Sequence, residues 1–349
     1  MTRYTTEDLR SRQALPLDAK IAMAKKRIID WHDSWIQFGI RNKTTGNIRY
    51  ATKRSADEVK LRKNEVIEFA RGGQTYVSFS GGKDSTVLLH LVRSLYPDTP
   101  AVFIDTGLEY PEVRRFALSQ ENITAVKPDM NFRKVIENYG YPIISKEVAN
   151  KIHLARNGYT TGILAMQGLD SSGNISEFRK RNLKWRFLLD APFKVSNRCC
   201  EVMKKYPAKK YERSTGRKPF VGSMAEESQL RQQSWMQSGC NIYDNRRPVS
   251  KPLSVWTEND VLEYIDRFQL QYAPVYGDVV RDDNGLYHTT GCHRTGCVFC
   301  GFGCQMEKEP NRFQMLKETH PQLYEYCFRD WDKGGLGMKE VLDYINVKY

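Results

Sequence analysis

Tyr76-Val77-Ser78-Phe79-Ser80-Gly81-Gly82-Lys83-Asp84-Ser85-Thr86 decides the fold of this chain. Tyr76 to Phe79 has the β-branched and aromatic content of a buried strand. Ser80-Gly81-Gly82 is a turn, and Thr86 to Val92 reads as a buried helix. A strand, a glycine turn and a helix N-terminus make an anion site. Free backbone N–H groups and the positive end of the helix dipole face outward, and glycine admits a phosphate at close range. Lys83 adds a point charge, and Ser80 and Ser85 add hydroxyl donors. The spacing is not that of the Walker loop, which needs four residues before a Gly-Lys-[Ser/Thr] ending. The plainer alternative is an ordinary strand–turn–helix with a chance glycine pair. Serines, lysine and aspartate all falling between strand and helix favour the anion site.

From 75 to about 145 strands and helices alternate, which implies parallel βαβ units. Ala101-Val102-Phe103-Ile104 is an apolar strand ending in Asp105-Thr106-Gly107-Leu108-Glu109, and Pro111 opens a helix. Ligands of such sheets sit beyond the carboxyl ends of the strands. Asp105 and Glu109 are therefore expected near the glycine loop, accepting from ribose hydroxyls or holding Mg²⁺. The plainer alternative for Asp105 is a turn or helix cap. Phe220 to Met224 is another strand, and its polar sequel carries Glu227 and Arg231. Arg231 suits a phosphate or sulfate, with Glu227 to orient it. The bland alternative is an intrahelical ion pair. Thr257 caps a helix that starts at Glu258.

The chain has 349 residues and a formal net charge of +13, from 54 Lys and Arg against 41 Asp and Glu. That excess suits a nucleic acid, or only an anionic nucleotide substrate. No stretch approaches the ~20 apolar residues of a membrane helix. Met1 to Glu7 has no apolar run and does not read as a signal peptide. A cytoplasmic protein without membrane contact is expected. Residues 1–70 read as a basic helical N-terminal arm. Ile21, Ala24, Ile28 and Ile29 have near-helical spacing, Arg41 to Asn47 is an exposed turn, and Ser55 with Glu58 is a capping pair. Val59, Val66, Ile67 and Ala70 would form the apolar face of the capped helix. The arm packs on the main domain or lies on nucleic acid. Residues 71–270 form the nucleotide-binding α/β domain, and 271–349 a Cys-rich segment with C-terminal helices. Arg179 to Arg186 is a basic run with one aromatic, either a phosphate grip or a solvated helix face.

Eight cysteines stand at 199, 200, 240, 292, 297, 300, 304 and 327. In a cytosolic protein such clusters bind metal more often than they form disulfides. Cys297-x₂-Cys300 can present two thiolates to one centre, with glycines at 296, 301 and 303. Cys292 and Cys304 complete the site locally, or Cys199 and Cys200 do so from the other half of the chain. Four thiolates suit zinc and iron–sulfur clusters alike.

The string Ser80 to Ser85 resembles the PP-loop of the adenine-nucleotide α-hydrolase superfamily. With it, in one order, come Asp105-x₃-Glu109, Arg198-Cys199-Cys200, Gly222-x₃-Glu226-Glu227-Ser228 with Arg231, Lys251-Pro252-Leu253-x₂-Trp256 and the late Cys-x₂-Cys. Over roughly residues 70–305 the chain resembles the phosphoadenosine phosphosulfate (PAPS) reductase family. The resemblance implies a Rossmann-like parallel sheet flanked by helices, with adenine nucleotide at Ser78, Ser80, Gly81, Gly82, Lys83, Asp84, Ser85, Asp105, Glu109 and Glu227. It implies Lys83, Asp84 and Arg231 as catalytic residues. It also implies a four-iron four-sulfur cluster on Cys199, Cys200, Cys297 and Cys300, with Cys292 and Cys304 as extra cysteines outside the pattern. The family's reductases carry a nucleophilic cysteine in a C-terminal Glu-Cys-Gly-[Ile/Leu]-His motif, which this sequence lacks. Cys327 is the last cysteine and reads as a structural one.

Relatives with the loop and cluster but without that motif include the ATP pyrophosphatases of DNA phosphorothioation, and more distant PP-loop enzymes thiolate tRNA. By that resemblance the expected reaction is attack on the α-phosphorus of ATP with Mg²⁺, release of pyrophosphate, and sulfur transfer to DNA or tRNA from a donor such as a cysteine desulfurase. The alternative substrate is adenylylsulfate or PAPS, reduced to sulfite with thioredoxin or a similar donor. A third expectation is a nucleic-acid-binding subunit in which the nucleotide only regulates assembly. The intact Lys83-Asp84-Ser85 argues against that.

Overall fold

The structure, a computed structural model, describes residues 3–244 and 246–349. Contacts divide the chain into two compact units rather than at residues 70 and 270. The first is built from the chain up to Asp105, from Tyr110–Val126 and from Ala208–Thr295. The second is built from Thr106–Glu109, Lys127–Pro207 and Gly296–Tyr349.

The first unit opens with two helices, α1 (Thr6–Gln13) and α2 (Leu17–Asp33). Thr5 and Asp8 form a capping box on α1. Leu17, Lys20, Ala24, Ile28 and Trp31 recur at helical spacing and are the buried stripe of α2. Lys20 lies in that stripe because its ammonium meets the Asp260 carboxylate at 2.6 and 2.9 Å. A charge buried to this degree needs a partner.

The helical reading of the arm fails beyond Asp33. Strands β1 (Ile36–Asn42), β2 (Ile48–Lys53) and β3 (Glu65–Arg71) form an antiparallel sheet in the order β2-β1-β3. Arg41 to Asn47 does contain a turn, and it joins β1 to β2. Ser55 makes no capping hydrogen bond, and only three residues after it form a 3₁₀ turn. Val66 and Ile67 sit on opposite faces of β3, Ile67 packing with Phe38, Ile40 and Val59. Spacings of three and four fit a helix, but β-branched residues in an alternating, paired segment favour a strand.

Strand β4 (Thr75–Phe79) leads through the glycine turn into α3 (Lys83–Arg93), then come β5 (Ala101–Ile104), α4 (Pro111–Leu118) and β6 (Ile123–Val126). The central sheet runs β6, β5, β4, Lys218–Val221, Val249–Ser250, Asn241–Ile242. All neighbours are parallel except the last pair. β4 therefore lies between β5 and Lys218–Val221, and the carboxyl ends of all three share one rim. Val77, Phe79, Val87, Leu88, Leu91, Phe103, Phe220 and Trp256 are buried in one core.

In the second unit, helices Phe132–Tyr139 and Lys146–Arg156 flank the two-residue strand Ile143–Ile144. That strand pairs in parallel with Gly301–Phe302. A Cβ on Gly301 would come within 2.9 Å of Ile143 Cγ2 and 3.0 Å of the Pro142 carbonyl. Glycine there lets the segment after Cys300 lie against Pro142. Among the described residues no helix is long and apolar enough to cross a membrane.

Candidate functional site

The glycine turn is shaped by its surroundings. Gly81 has φ +74°, and a Cβ there would stand 2.8 Å from the Val113 carbonyl. Gly82 is the N-cap of α3. Ser85 Oγ donates to the Gly82 carbonyl at 2.8 Å and accepts from the Ser80 N–H at 3.2 Å, which ties the turn to the helix. Ser78 lies within β4, opposite Val102 and Val221, in the sheet rather than the turn. Gly222 brings the end of Lys218–Val221 close to α3, since a Cβ would meet the Asp84 carbonyl at 3.2 Å.

The donors expected to hold phosphate are present and are bonded to protein oxygens. Lys83 Nζ donates to the His293 carbonyl at 2.8 Å and pairs with Glu258 Oε1 at 2.8 Å. The Lys83 N–H donates to the Tyr276 hydroxyl at 3.3 Å, and that hydroxyl is 2.6 Å from Thr295 Oγ1. Carbonyl, carboxylate and hydroxyl oxygens of the protein are thus the acceptors around the Lys83 donors.

Asp84 is buried beside this lysine, and its Oδ1 has no hydrogen-bond partner among the described residues. Burial raises its pKa above the usual carboxylate range, against the pull of the Lys83 charge; Glu258 pushes up and Arg294 and Arg231 pull down. Arg231 forms an ion pair with Glu227, and Glu227 also accepts from the Met224 N–H at 2.8 Å. Burial and then the nearby Arg294 lower the Arg231 pKa. Glu226 accepts from the Glu258 N–H at 3.2 Å. Asp105 stands at the end of β5 and receives Arg114 in a bidentate pair, 2.8 Å at each oxygen. Glu109 belongs by its contacts to the second unit, where it accepts from Thr106 Oγ1 at 2.7 Å and lies 4.0 Å from Lys204 Nζ.

Sequence reasoning missed Glu258, Tyr276, His293, Arg294 and Thr295. Glu258 is the first residue of the helix Glu258–Arg267, whose Thr257 cap was legible. An acidic residue there is ordinary dipole chemistry, so nothing marked it for the loop. His293 to Thr295 stood hidden among the cysteines. His293 Nε2 lies 3.1 Å from Glu258 Oε2.

In the second unit Cys199, Cys200, Cys297 and Cys300 line one cavity with Leu108, Phe132, Pro142, Met203 and Lys204. The Cys199 and Cys200 sulfurs are 3.9 Å apart. Cys199 donates to Cys200, and with Lys146, Lys204 and Lys205 nearby this draws the Cys200 thiol down to about 6 while Cys199 rises. Burial raises Cys297 and pushes Cys300 up to about 11. Among the described residues no group of three or more His, Cys, Asp or Glu side chains converges tightly enough to hold a metal ion. Cys304 does not line the cavity; its thiol donates to the Gly301 carbonyl at 3.0 Å. Cys292 belongs to the first unit. Cys327 is 0% exposed, and burial raises its pKa. In the basic run, Arg179 donates to the Leu169 carbonyl, Arg181 lies over Phe178 and Lys184 over Trp185.

Comparison with known proteins gives the family of the chain. The chain is 25% identical over 270 residues to an uncharacterized protein of Methanocaldococcus jannaschii, covering 76% of this chain and 49% of that protein, so it spans about half of that relative's length. It is 27% identical over 249 residues to adenosine 5′-phosphosulfate reductase of Anoxybacillus flavithermus, covering 70% and 81%. It is 26% identical over 200 residues to phosphoadenosine 5′-phosphosulfate reductase of Xylella fastidiosa, covering 57% and 66%. Residues 74–156 and 163–301, which hold the loop, its rim and the four cavity cysteines, match the phosphoadenosine phosphosulfate reductase domain, and the chain belongs to that family.

Proposed function

We propose that the chain is an ATP pyrophosphatase of this family, acting in sulfur transfer with a nucleic acid as acceptor. The observation that carries this reading is the Lys83 cradle, where an ammonium, a helix N-terminus and the Asp84 carboxylate meet beside Arg231 and Arg294. Magnesium enters with the nucleotide, bound to its phosphates. The β- and γ-phosphates displace the oxygens of Glu258, His293 and Tyr276 from the Lys83 donors. An acceptor oxygen attacks the α-phosphorus, the bond to pyrophosphate breaks, and Lys83 with the loop N–H groups stabilises charge on the departing group. Arg231 neutralises the phosphates from the next strand end. A donor such as a cysteine desulfurase supplies persulfide sulfur; a dithiol reductant releases it as hydrosulfide and is itself oxidised to the disulfide, the hydrosulfide attacks the adenylated centre, and the bond to the activated oxygen breaks so that this oxygen leaves with AMP.

Four thiolates suit zinc and a multi-iron cluster alike, and the family resemblance favours the cluster. Cys199, Cys200, Cys297 and Cys300 would hold it, and the cluster would supply electron or sulfur chemistry or brace the fold. Lys204 in the same wall places a cation beside the thiolates.

Sulfonucleotide reduction is the second reading, and the names of the matched reductases favour it. It needs a thiolate to attack sulfur, with thioredoxin or a similar donor. Cys327 does not serve, because it is sealed in the core. Pyrophosphate release from ATP by wild type and Lys83→Ala tests the choice. The expected loss is about 10²- to 10³-fold, the scale of removing one preorganised donor. Sulfite from adenylylsulfate, without pyrophosphate from ATP, overturns the first reading.

A further inference from the structure

The strand register sorts the N-terminal sheet into two faces. Phe38 stands opposite Ala51 and Ile40 opposite Ile67; with Val59 these form the buried face, while Ala70, also opposite Phe38, is exposed. On the other face Gly39 stands between Tyr50 and Phe69, Arg41 between Ile48 and Val66, and Gln37 between Thr52 and Arg71. Tyr50 is 60% exposed, Ile48 39%, Val66 38% and Phe69 37%. Single exposed apolar residues are ordinary, but four on one side of a small sheet call for a ligand.

The two rings are 6.1 Å apart. Phe69 lies over Gly39, where a Cβ would stand 2.3 Å from the ring. A glycine in mid-strand is unfavourable and marks a place where something must approach closely; here it seats the ring flat on the sheet. The segment that carries the rings is one-sided in charge. Residues 36–71 hold nine Lys and Arg against four Asp and Glu. Glu58, Glu65 and Glu68 are each paired with an arginine of the same segment. Lys43, in the turn between β1 and β2, and Arg62 and Lys63, just before β3, are exposed, whereas Lys53 stands opposite Ile36 on the side of the buried face.

We propose that this face of the β1–β2–β3 sheet binds single-stranded nucleic acid, with bases stacked on Tyr50 and Phe69 and phosphates on the surrounding lysines and arginines. Open ring faces suit unpaired bases, whose own faces are uncovered, and the cations suit the backbone between them. A second copy of the same face would bring like charges together, which disfavours self-association. The inference stands apart from the reaction assigned above, and its test contains no ATP.

The test is fluorescence anisotropy with the full chain and a labelled oligothymidine of about 20 nucleotides, beside a duplex of the same length. Loss of each ring is expected to weaken single-strand binding about 5- to 150-fold, so Y50A/F69A should bind far more weakly. Y50L/F69L keeps apolar area without rings and should be as weak. K43A/R62A should flatten the salt dependence by about 0.7 log units per charge removed. The proposal is overturned if wild type does not bind, or if Y50A/F69A binds like wild type with unchanged circular dichroism. Full affinity in Y50L/F69L, duplex binding as tight as single-strand binding, or ring-dependent self-association in sedimentation would overturn it equally.

Discussion

The glycine loop and the thiol cavity are opposite solutions to holding a reactive group. The loop is contiguous, since Ser80 to Thr86 supply the turn, the helix end and the lysine, and its charges are balanced by carboxylates at close range. The cavity is assembled from Leu108, Phe132, Pro142, Cys199-Cys200 and Cys297-x₂-Cys300, and its walls are apolar apart from the thiols and Lys204. Phosphate is received mainly by backbone N–H groups, and a backbone cradle needs only local sequence. Thiols come one per cysteine, and the four that line this cavity come from two distant segments. The backbone of the first site is therefore set locally, while its lysine depends on the distant Glu258, His293 and Tyr276. The second is sensitive to any of four scattered residues.

The contrast predicts a double dissociation. Cys297→Ser should give anaerobically purified protein without bound iron or visible absorbance, yet with ATP-dependent pyrophosphate release. Lys83→Ala should do the reverse, keeping iron and losing about 10²- to 10³-fold in pyrophosphate release. Iron analysis beside the rate measures both, and loss of both properties in either variant would mean that the sites are not separable.

Lys20→Ala probes the scaffold of the loop. Asp260 would keep its Thr257 hydrogen bonds but lose its buried cation on α2. Breaking such a pair typically costs about 3–5 kcal/mol. Urea unfolding should show that loss, and a change near zero would mean that water replaces the ammonium.

The smallest expected effect is Asp84→Asn. Burial holds the folded pKa of Asp84 above the 3.8 of an unperturbed aspartate. Its ionised form is therefore less favourable in the folded chain than in the unfolded one. That cost is absent below pH 3.8, grows as pH climbs through the folded pKa, and is complete above it. Asp84→Asn should thus melt higher than wild type at pH 7, with the gap closing in acid, while pyrophosphate release falls. A variant that melts lower at pH 7 would show that the carboxylate is paid back by its cationic neighbours.

Much of this molecule was legible in its residues. The strand–glycine–helix string placed β4 and α3, and the apolar run before Asp105 placed β5. Thr257 marked a helix start, and cysteine spacing identified candidate ligands. These features rest on local chemistry: backbone reach, capping and period. Three-dimensional packing alone could show that Glu258, His293 and Tyr276 hold the lysine of the loop, because nothing in their own neighbourhoods advertises it. Cysteine spacing left two ways to complete the Cys297-x₂-Cys300 pair, and the family resemblance pointed to Cys199 and Cys200; the packing brings those four to one cavity and leaves out Cys304, whose thiol turns to a carbonyl. It also set residues 36–71 as strands, since the same apolar spacing serves a helix until a partner strand supplies the hydrogen bonds. Local rules specify what a segment can be, and long-range pairing selects among those options because only there are buried polar groups and apolar faces satisfied together.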